Sequence, residues 1–441
     1  MNKKTENKAV SPWQWVPSLY FAQGIPYVVV MSVAVILFKR MGMSNTDIAL
    51  YTSGLNLPWV IKPLWSPLVD LLKTKRWWIV VMQILVGAGL AGIALTIQGP
   101  LAFRYCLAFM WLLAFSSATH DIAADGFYML GLNEKKQAYF VGIRNTFYRF
   151  AVIFGQGILV MFAGWLEQRY AREMPETAAI PQAWSLTFYL LTVLFALLFV
   201  YHYLFLPHPR RDTCTLPPQQ ASAGRVFKEF LGTFTSFFQK KHIVSALIFI
   251  LLYRFAEAQL VKITSPFLLD TPATGGLALS TAEVGFIYGT IGVIALTIGG
   301  IVGGIAMARR GLKSCLWTMT IAMNLPNIVY LYLSFARPES IGIISGCVAI
   351  EQFGYGFGFT SLTYFMMLFS NGKHQTAHYA ICTGFMALGL MLPGMISGWI
   401  EESIGYRAFF VWIMLCTIPS FWATHLVRKN LTDNHSDNSS R

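Results

Sequence analysis

Long apolar runs, broken by short polar and basic stretches, fill the chain from end to end. Crossing a bilayer takes roughly 20 predominantly apolar residues in a helix. Twelve runs meet that rule. The first six are 13–38, 48–69, 77–97, 101–131, 138–166 and 184–206; the second six are 242–269, 282–308, 314–336, 340–370, 376–400 and 408–427. Between the two sets lies a Pro-rich, basic stretch with room for a short amphipathic helix from Val226 to Phe238. The pattern predicts an all-α membrane protein of twelve transmembrane helices. Residues 1–206 form an N-terminal six-helix bundle, 207–241 a cytoplasmic linker, 242–427 a C-terminal six-helix bundle and 428–441 a cytoplasmic tail. Two six-span halves joined in this way are expected of a transporter built from parallel repeats.

Composition agrees with that class. Charged residues make up 12% of the chain, about half the share found in soluble domains. The net charge of +13 is therefore read as loop charge facing anionic lipid, which argues against a nucleic-acid partner. With the N-terminus inside, Lys and Arg on the cytoplasmic side outnumber those outside about threefold. That sets both termini in the cytoplasm. Five of the six cysteines fall in apolar runs and none forms a CxxC pair, so neither a disulfide framework nor a zinc site is expected. The polar start, MNKKTENKAVSP, leads into no short apolar stretch with a cleavage site, so the first span is expected to be retained.

Charge inside the spans is the candidate chemistry, because an ionisable group in hydrocarbon is kept mainly where it works or is paired. The fourth span carries HDIAADG at 120–126. Asp121 and Asp125 are four apart and share a face, with Ser117 and Tyr128 on the same stripe. Counting outward from the turn near Asn133 sets Asp125 level with Arg144, and His120 and Asp121 level with Tyr148 and Arg149. Two readings stay open: a structural clasp, or a proton-titratable pair that also senses an anionic substrate. The seventh span carries Arg254 and Glu257 three apart, with Lys262 a turn further on. The tenth carries Glu351 and Tyr355 on one face, beside Gly354, Gly356 and Gly358. Lys62, bracketed by prolines and tryptophans, either meets an anionic group or reaches the interface. His374, Gln375 and His378 read as interfacial, and Asn324 and Asn327 as repair of the break at Pro326. Spans three, six, nine and twelve hold no Asp, Glu, Lys or Arg in their interiors, which assigns them to the lipid-facing periphery.

Several stretches resemble one family. LYFAQGIPY at 19–27, LPWVIKPLWSPLVD at 57–70 and SSATHDIAADG at 116–126 look like the AmpG-type muropeptide permeases. These form a branch of the major facilitator superfamily together with acetyl-CoA transporters. His120 stands where that family often has Gln, while Asp121 and Asp125 are kept. GIRN around Arg144, LYRFAEAQ at 252–259, IEQFGYGFGFTSL at 350–362 and HQTAHYAI at 374–381 are similar to the family's equivalents. Siderophore importers of the same branch share the first two signatures, and the LPW here leans slightly toward them.

The resemblance implies a secondary transporter of the bacterial cytoplasmic membrane, working by alternating access as a monomer. Its expected cargo is an anionic glycopeptide from cell-wall recycling, imported with protons. A siderophore–metal complex is the alternative cargo. Arg144, Arg149, Arg254 and Lys62 would meet substrate carboxylates; Gln23, Tyr128, Tyr148 and Tyr355 would meet hydroxyls and amides. Asp121, Asp125, Glu257 and Glu351 are the candidate proton carriers. No nucleophile–base or metal constellation is found, so neither an enzyme, a metal site nor a cofactor is expected. A non-transporting receptor or scaffold has no positive support.

Overall fold

In the computed structural model, the described residues are 11–209, 212, 232, 234–371 and 375–436, and among them the chain is helical with no strand. Most of 207–241, the greater part of the anticipated amphipathic helix, His374 and the last residues of the tail lie outside this set.

Among the described residues twelve membrane-length segments follow one another. The first six are α1 (Pro12–Arg40), α2 (Asn45–Gly54 and Leu57–Leu72), α3 (Lys75–Thr96), α4 (Ala102–Gly131), α5 (134–170) and α6 (Glu176–Phe205). The second six are α7 (Ile243–Leu269), α8 (281–310), α9 (312–336), α10 (Ile341–Phe369), α11 (375–404) and α12 (406–436). The boundaries follow local chemistry. Ser44 and Thr74 cap α2 and α3, each accepting from a backbone N–H three residues on, and Ser280 with Glu283 forms a capping box at α8. Between α8 and α9 the turn is made at Gly311, and between α11 and α12 at Gly405, with φ of 72° and 76°.

Among the described residues three helices carry π segments: Val29–Val33 in α1, Ile153–Ile158 in α5 and Gly285–Gly292 in α8. Such bulges bend a helix and are frequent at functional sites. Helix α7 breaks at Tyr253 and Arg254, and α9 tightens into a 3₁₀ turn at Leu325–Asn327. Asn324 donates to the Thr320 carbonyl at 2.9 Å, not to the Ala322 carbonyl that Pro326 leaves without a helical donor, and Asn327 is buried with neither side-chain amide atom bonded among the described residues, so neither is seen to repair the break as anticipated.

By contacts the chain forms two compact units. One comprises Met1–Val28, Trp65–Val152 and Ser185–Ala221; the other comprises Val29–Leu64, Ile153–Trp184 and Ser222–Arg441. The core of the first is built from Trp15, Leu19, Tyr20, Ile79 and Phe127. That of the second is built from Phe249, Tyr253, Met319, Met323 and Phe365. On α6, Val193, Leu197, Val200 and Leu204 form an exposed apolar row, as a lipid-facing helix requires.

Candidate functional site

In the first unit, the α4–α5 hairpin brings Arg144 to 3.4 Å from Asp125. The pairing anticipated by counting from the turn is thus present. It has a third member, Tyr20 of α1, whose hydroxyl donates to Asp125 at 3.1 Å and accepts from Arg144 at 3.0 Å. The guanidinium also lies 4.8 Å from the ring centre of Tyr20 and 5.2 Å from that of Tyr128, within cation–π range. Tyr20 lies inside LYFAQGIPY, yet nothing in the sequence pattern singles it out. The Tyr128 hydroxyl is held by the Gln137 carbonyl.

Tyr148 faces Tyr27 across α1, with ring centres 6.5 Å apart. Asp121 and Arg149 are half-buried, and both charges act on Tyr148. Gln23 is buried and its Oε1 has no hydrogen-bond partner among the described residues. An unmatched buried acceptor is costly.

His120, the residue at the head of HDIAADG, turns away from this group. Gln83 of α3 bonds both His120 Nε2 at 3.1 Å and His202 Nδ1 at 2.9 Å, and His202 Nε2 reaches Ser18 at 3.0 Å. All but Ser18 are fully buried. The spans with no formal charge, three and six, thus still send polar groups into the unit. Neutral residues leave no mark in a search for charge.

The second unit repeats the theme with different helices. At the α7 break, Arg254 pairs with Glu257 at 2.8 Å and donates to the Tyr355 hydroxyl of α10 at 2.7 Å. Its guanidinium lies 5.3 Å from the Tyr355 ring centre and 5.0 Å from that of Phe359. Lys262 is buried one turn on, with Glu257 as the charge acting on it. Glu351 is buried and accepts hydrogen bonds from two neutral donors: the Tyr330 hydroxyl at 3.1 Å and the Gln352 amide at 2.9 Å. Tyr288 of α8 lies in the field of both Glu257 and Glu351. Tyr288 and Tyr330 are the members that sequence reasoning passed over. Lys62, on α2, is partly buried in this unit.

Also within the second unit, the helix ends remote from the linker are tied together. Lys39 pairs with Asp270 at 2.7 Å and donates to Asn45 at 2.8 Å. Asn45 donates to Glu401 at 2.6 Å and to Tyr406 at 2.8 Å, and Tyr406 donates back to Asp270 at 2.6 Å. Beside this ring, Glu167 of α5 accepts from Arg40 at 3.1 Å, Trp184 at 2.7 Å and Thr281 at 2.7 Å. The backbones meet through glycine: a Cβ on Gly398 of α11 would lie 1.9 Å from the Asn45 carbonyl, and one on Gly289 of α8 would lie 2.0 Å from that of Gln156. The ends of α1, α2 and α5 are therefore sealed onto α7, α8, α11 and α12.

Twelve bilayer-length helices, arginine–carboxylate pairs at mid-helix and a seal between helix ends define a secondary transporter. The chain belongs to the Major Facilitator Superfamily, whose model matches residues 18–376. It is AmpG-like within it. The putative transporter AmpG 4 of Rickettsia conorii is 25% identical over 92% of this chain and 93% of that protein. The anhydromuropeptide permease of Escherichia coli K12 is 24% identical over 94% of this chain and 79% of that protein. Among solved structures, a D-xylose–proton symporter superposes with a TM-score of 0.70 at 12% identity, covering 95% of this chain and 97% of that one. The nucleoside transporter NupG superposes at 0.68 with 14% identity, covering 94% and 98%. At such identities these two speak for the fold alone.

Proposed function

We propose that this transporter imports anionic cell-wall recycling fragments, N-acetylglucosaminyl-anhydromuropeptides, into the bacterial cytoplasm in symport with protons. It lies in the inner membrane with both termini inside, and works as a monomer. The observation that carries the reading is the repeated grouping of an arginine with a carboxylate and a tyrosine hydroxyl, Arg144–Asp125–Tyr20 and Arg254–Glu257–Tyr355. A substrate carboxylate can take the guanidinium over once the protein carboxylate is protonated, which links cargo to proton. Arg149 and Lys62 add positive charge, while Gln23, Tyr128 and Tyr148 offer partners for sugar hydroxyls and peptide amides. Asp121 stands beside the first grouping as a further proton carrier. Glu351 holds a proton site that is hydrogen-bonded to neutral neighbours.

The name of the Escherichia coli relative supports the cargo. A siderophore complex would call for a cavity less cationic than these residues supply. The seal of the helix ends is the outer gate, and its opening admits cargo from the periplasm.

Reconstituted proteoliposomes test the reading, with labelled anhydromuropeptide and ferric siderophore offered side by side, with and without a pH gradient. Gradient-dependent uptake of the muropeptide alone is expected. Uptake of neither cargo, or uptake indifferent to the gradient, overturns cargo or coupling respectively.

A further inference from the structure

Where the chain enters α7, it borders a cavity of about 350 Å³ lined by Lys240, Lys241 and His242, by Phe365 and Phe369 of α10, and by Asn430 of α12 among others. Among the described residues of that lining none is acidic. The Lys240 ammonium is taken up by the end of α10, donating to the carbonyls of Phe369 at 2.6 Å and Asn371 at 2.9 Å. Lys241 remains exposed beside it.

His242 is the unusual member. It is a non-glycine residue in the left-handed region, at φ 62°, in the position that precedes α7, and its side chain makes no cap bond. Its Nε2 is buried with no hydrogen-bond partner among the described residues. A strained backbone that leaves a buried imidazole nitrogen unmatched is the kind of local cost retained at binding sites. The first turn of α7 adds its partial positive charge. Asn430 donates to Ser245 at 2.7 Å, and Ser245 to the His242 carbonyl at 2.9 Å, so α12 fixes this turn. Apart from Asn371 the remaining wall is apolar, formed by Ala246, Phe365, Phe369 and Val427, and it ends at Leu368, which is exposed.

We propose that this cavity binds an anionic phospholipid from the leaflet that meets the linker. The phosphate sits against Lys241, His242 and the start of α7. An acyl chain follows Phe365 and Leu368 into the membrane. A basic head region continuous with a largely buried apolar wall that opens at Leu368 fits a lipid rather than a soluble anion. The bound lipid joins the linker's end to α10 and α12, at the point where the second half begins.

The test uses full-length protein, delipidated in a neutral detergent, with native mass spectrometry and thermal unfolding as readouts. Phosphatidylglycerol is expected to be retained about tenfold more strongly than phosphatidylcholine, the order that one or two basic contacts provide, and to raise the unfolding midpoint. The Lys241→Gln/His242→Asn variant keeps the left-handed turn, because Asn tolerates it. It is expected to lose the preference while unfolding like wild type without lipid. Should the double variant fold poorly, Lys241→Gln alone, at an exposed position, is expected to cut the preference severalfold. Equal retention of the two lipids, a variant that keeps the full preference, or the same stabilisation from inorganic phosphate alone overturns the proposal.

Discussion

One tyrosine hydroxyl stands between Asp125 and Arg144: Tyr20 donates to the carboxylate at 3.1 Å and accepts from the guanidinium at 3.0 Å, while the two charges are 3.4 Å apart. The arrangement answers how two aspartates come to sit in an apolar span. One of them is held by an arginine and a tyrosine from two other helices.

The Asp125 side chain is 41% exposed. An ion pair that open is worth about 0–1 kcal/mol to folding. Asp125→Asn is therefore expected to unfold at nearly the wild-type temperature. If the pair couples proton to cargo, uptake by the variant falls about tenfold or more, equivalent to roughly 1.4 kcal/mol of lost coupling, and loses its pH dependence. Asp121→Asn is the companion measurement. An unchanged pH profile in both variants reduces the pair to a clasp.

Glu351 poses the opposite case: a buried carboxyl bonded on Oε2 by two neutral donors, Tyr330 and Gln352. Glutamine offers a carbonyl acceptor of the same shape, so Glu351→Gln keeps both bonds and removes only the exchangeable proton. Gradient-driven accumulation is expected to vanish in this variant, while exchange of labelled for unlabelled substrate continues. Accumulation at the wild-type level would show that Glu351 serves packing alone.

The Ser18–His202–Gln83–His120 chain is expected to act on stability rather than on transport. Gln83→Leu leaves two buried imidazoles without the amide that bonds them, and each orphaned buried group costs about 1–3 kcal/mol. Thermal unfolding in detergent should fall clearly, with uptake per folded molecule little changed. A drop in uptake at full stability would instead place the histidines in the transport path.

What the sequence exposes are contacts of short reach. Asp125–Arg144 follows from counting outward along one hairpin, and Arg254–Glu257 from helical spacing within one segment. The twelve spans follow from hydropathy, with ends displaced by four residues or fewer except that α6 begins eight residues earlier, at Glu176, and α12 runs nine further, to Ser436. The Lys39–Asp270–Tyr406–Asn45–Glu401 ring joins residues hundreds of positions apart, and its charged members look like ordinary loop charges. Tyr20, Tyr288 and Tyr330 are hidden among many aromatics. Glycine crossings show no side-chain pattern at all, because what matters there is the atom that is missing.

That seal yields the last prediction. At Gly289 a Cβ would lie 2.0 Å from the Gln156 carbonyl, an atom of another helix's backbone that no rotamer change can move aside. Gly289→Val should therefore keep α5 and α8 apart and hold the outer ends open. Lys39→Ala weakens the same seal more gently, by removing one member of the pair with Asp270. A loss of about 1.4 kcal/mol shifts an open–closed equilibrium tenfold. A single cysteine introduced at Thr46, which in the sealed state is bonded to Glu402, reports the change through an impermeant thiol reagent. Labelling should rise in the order wild type, Lys39→Ala, Gly289→Val, with transport falling in the same order. Equal labelling in all three backgrounds would show that these helix ends form a fixed platform and that the gate lies elsewhere.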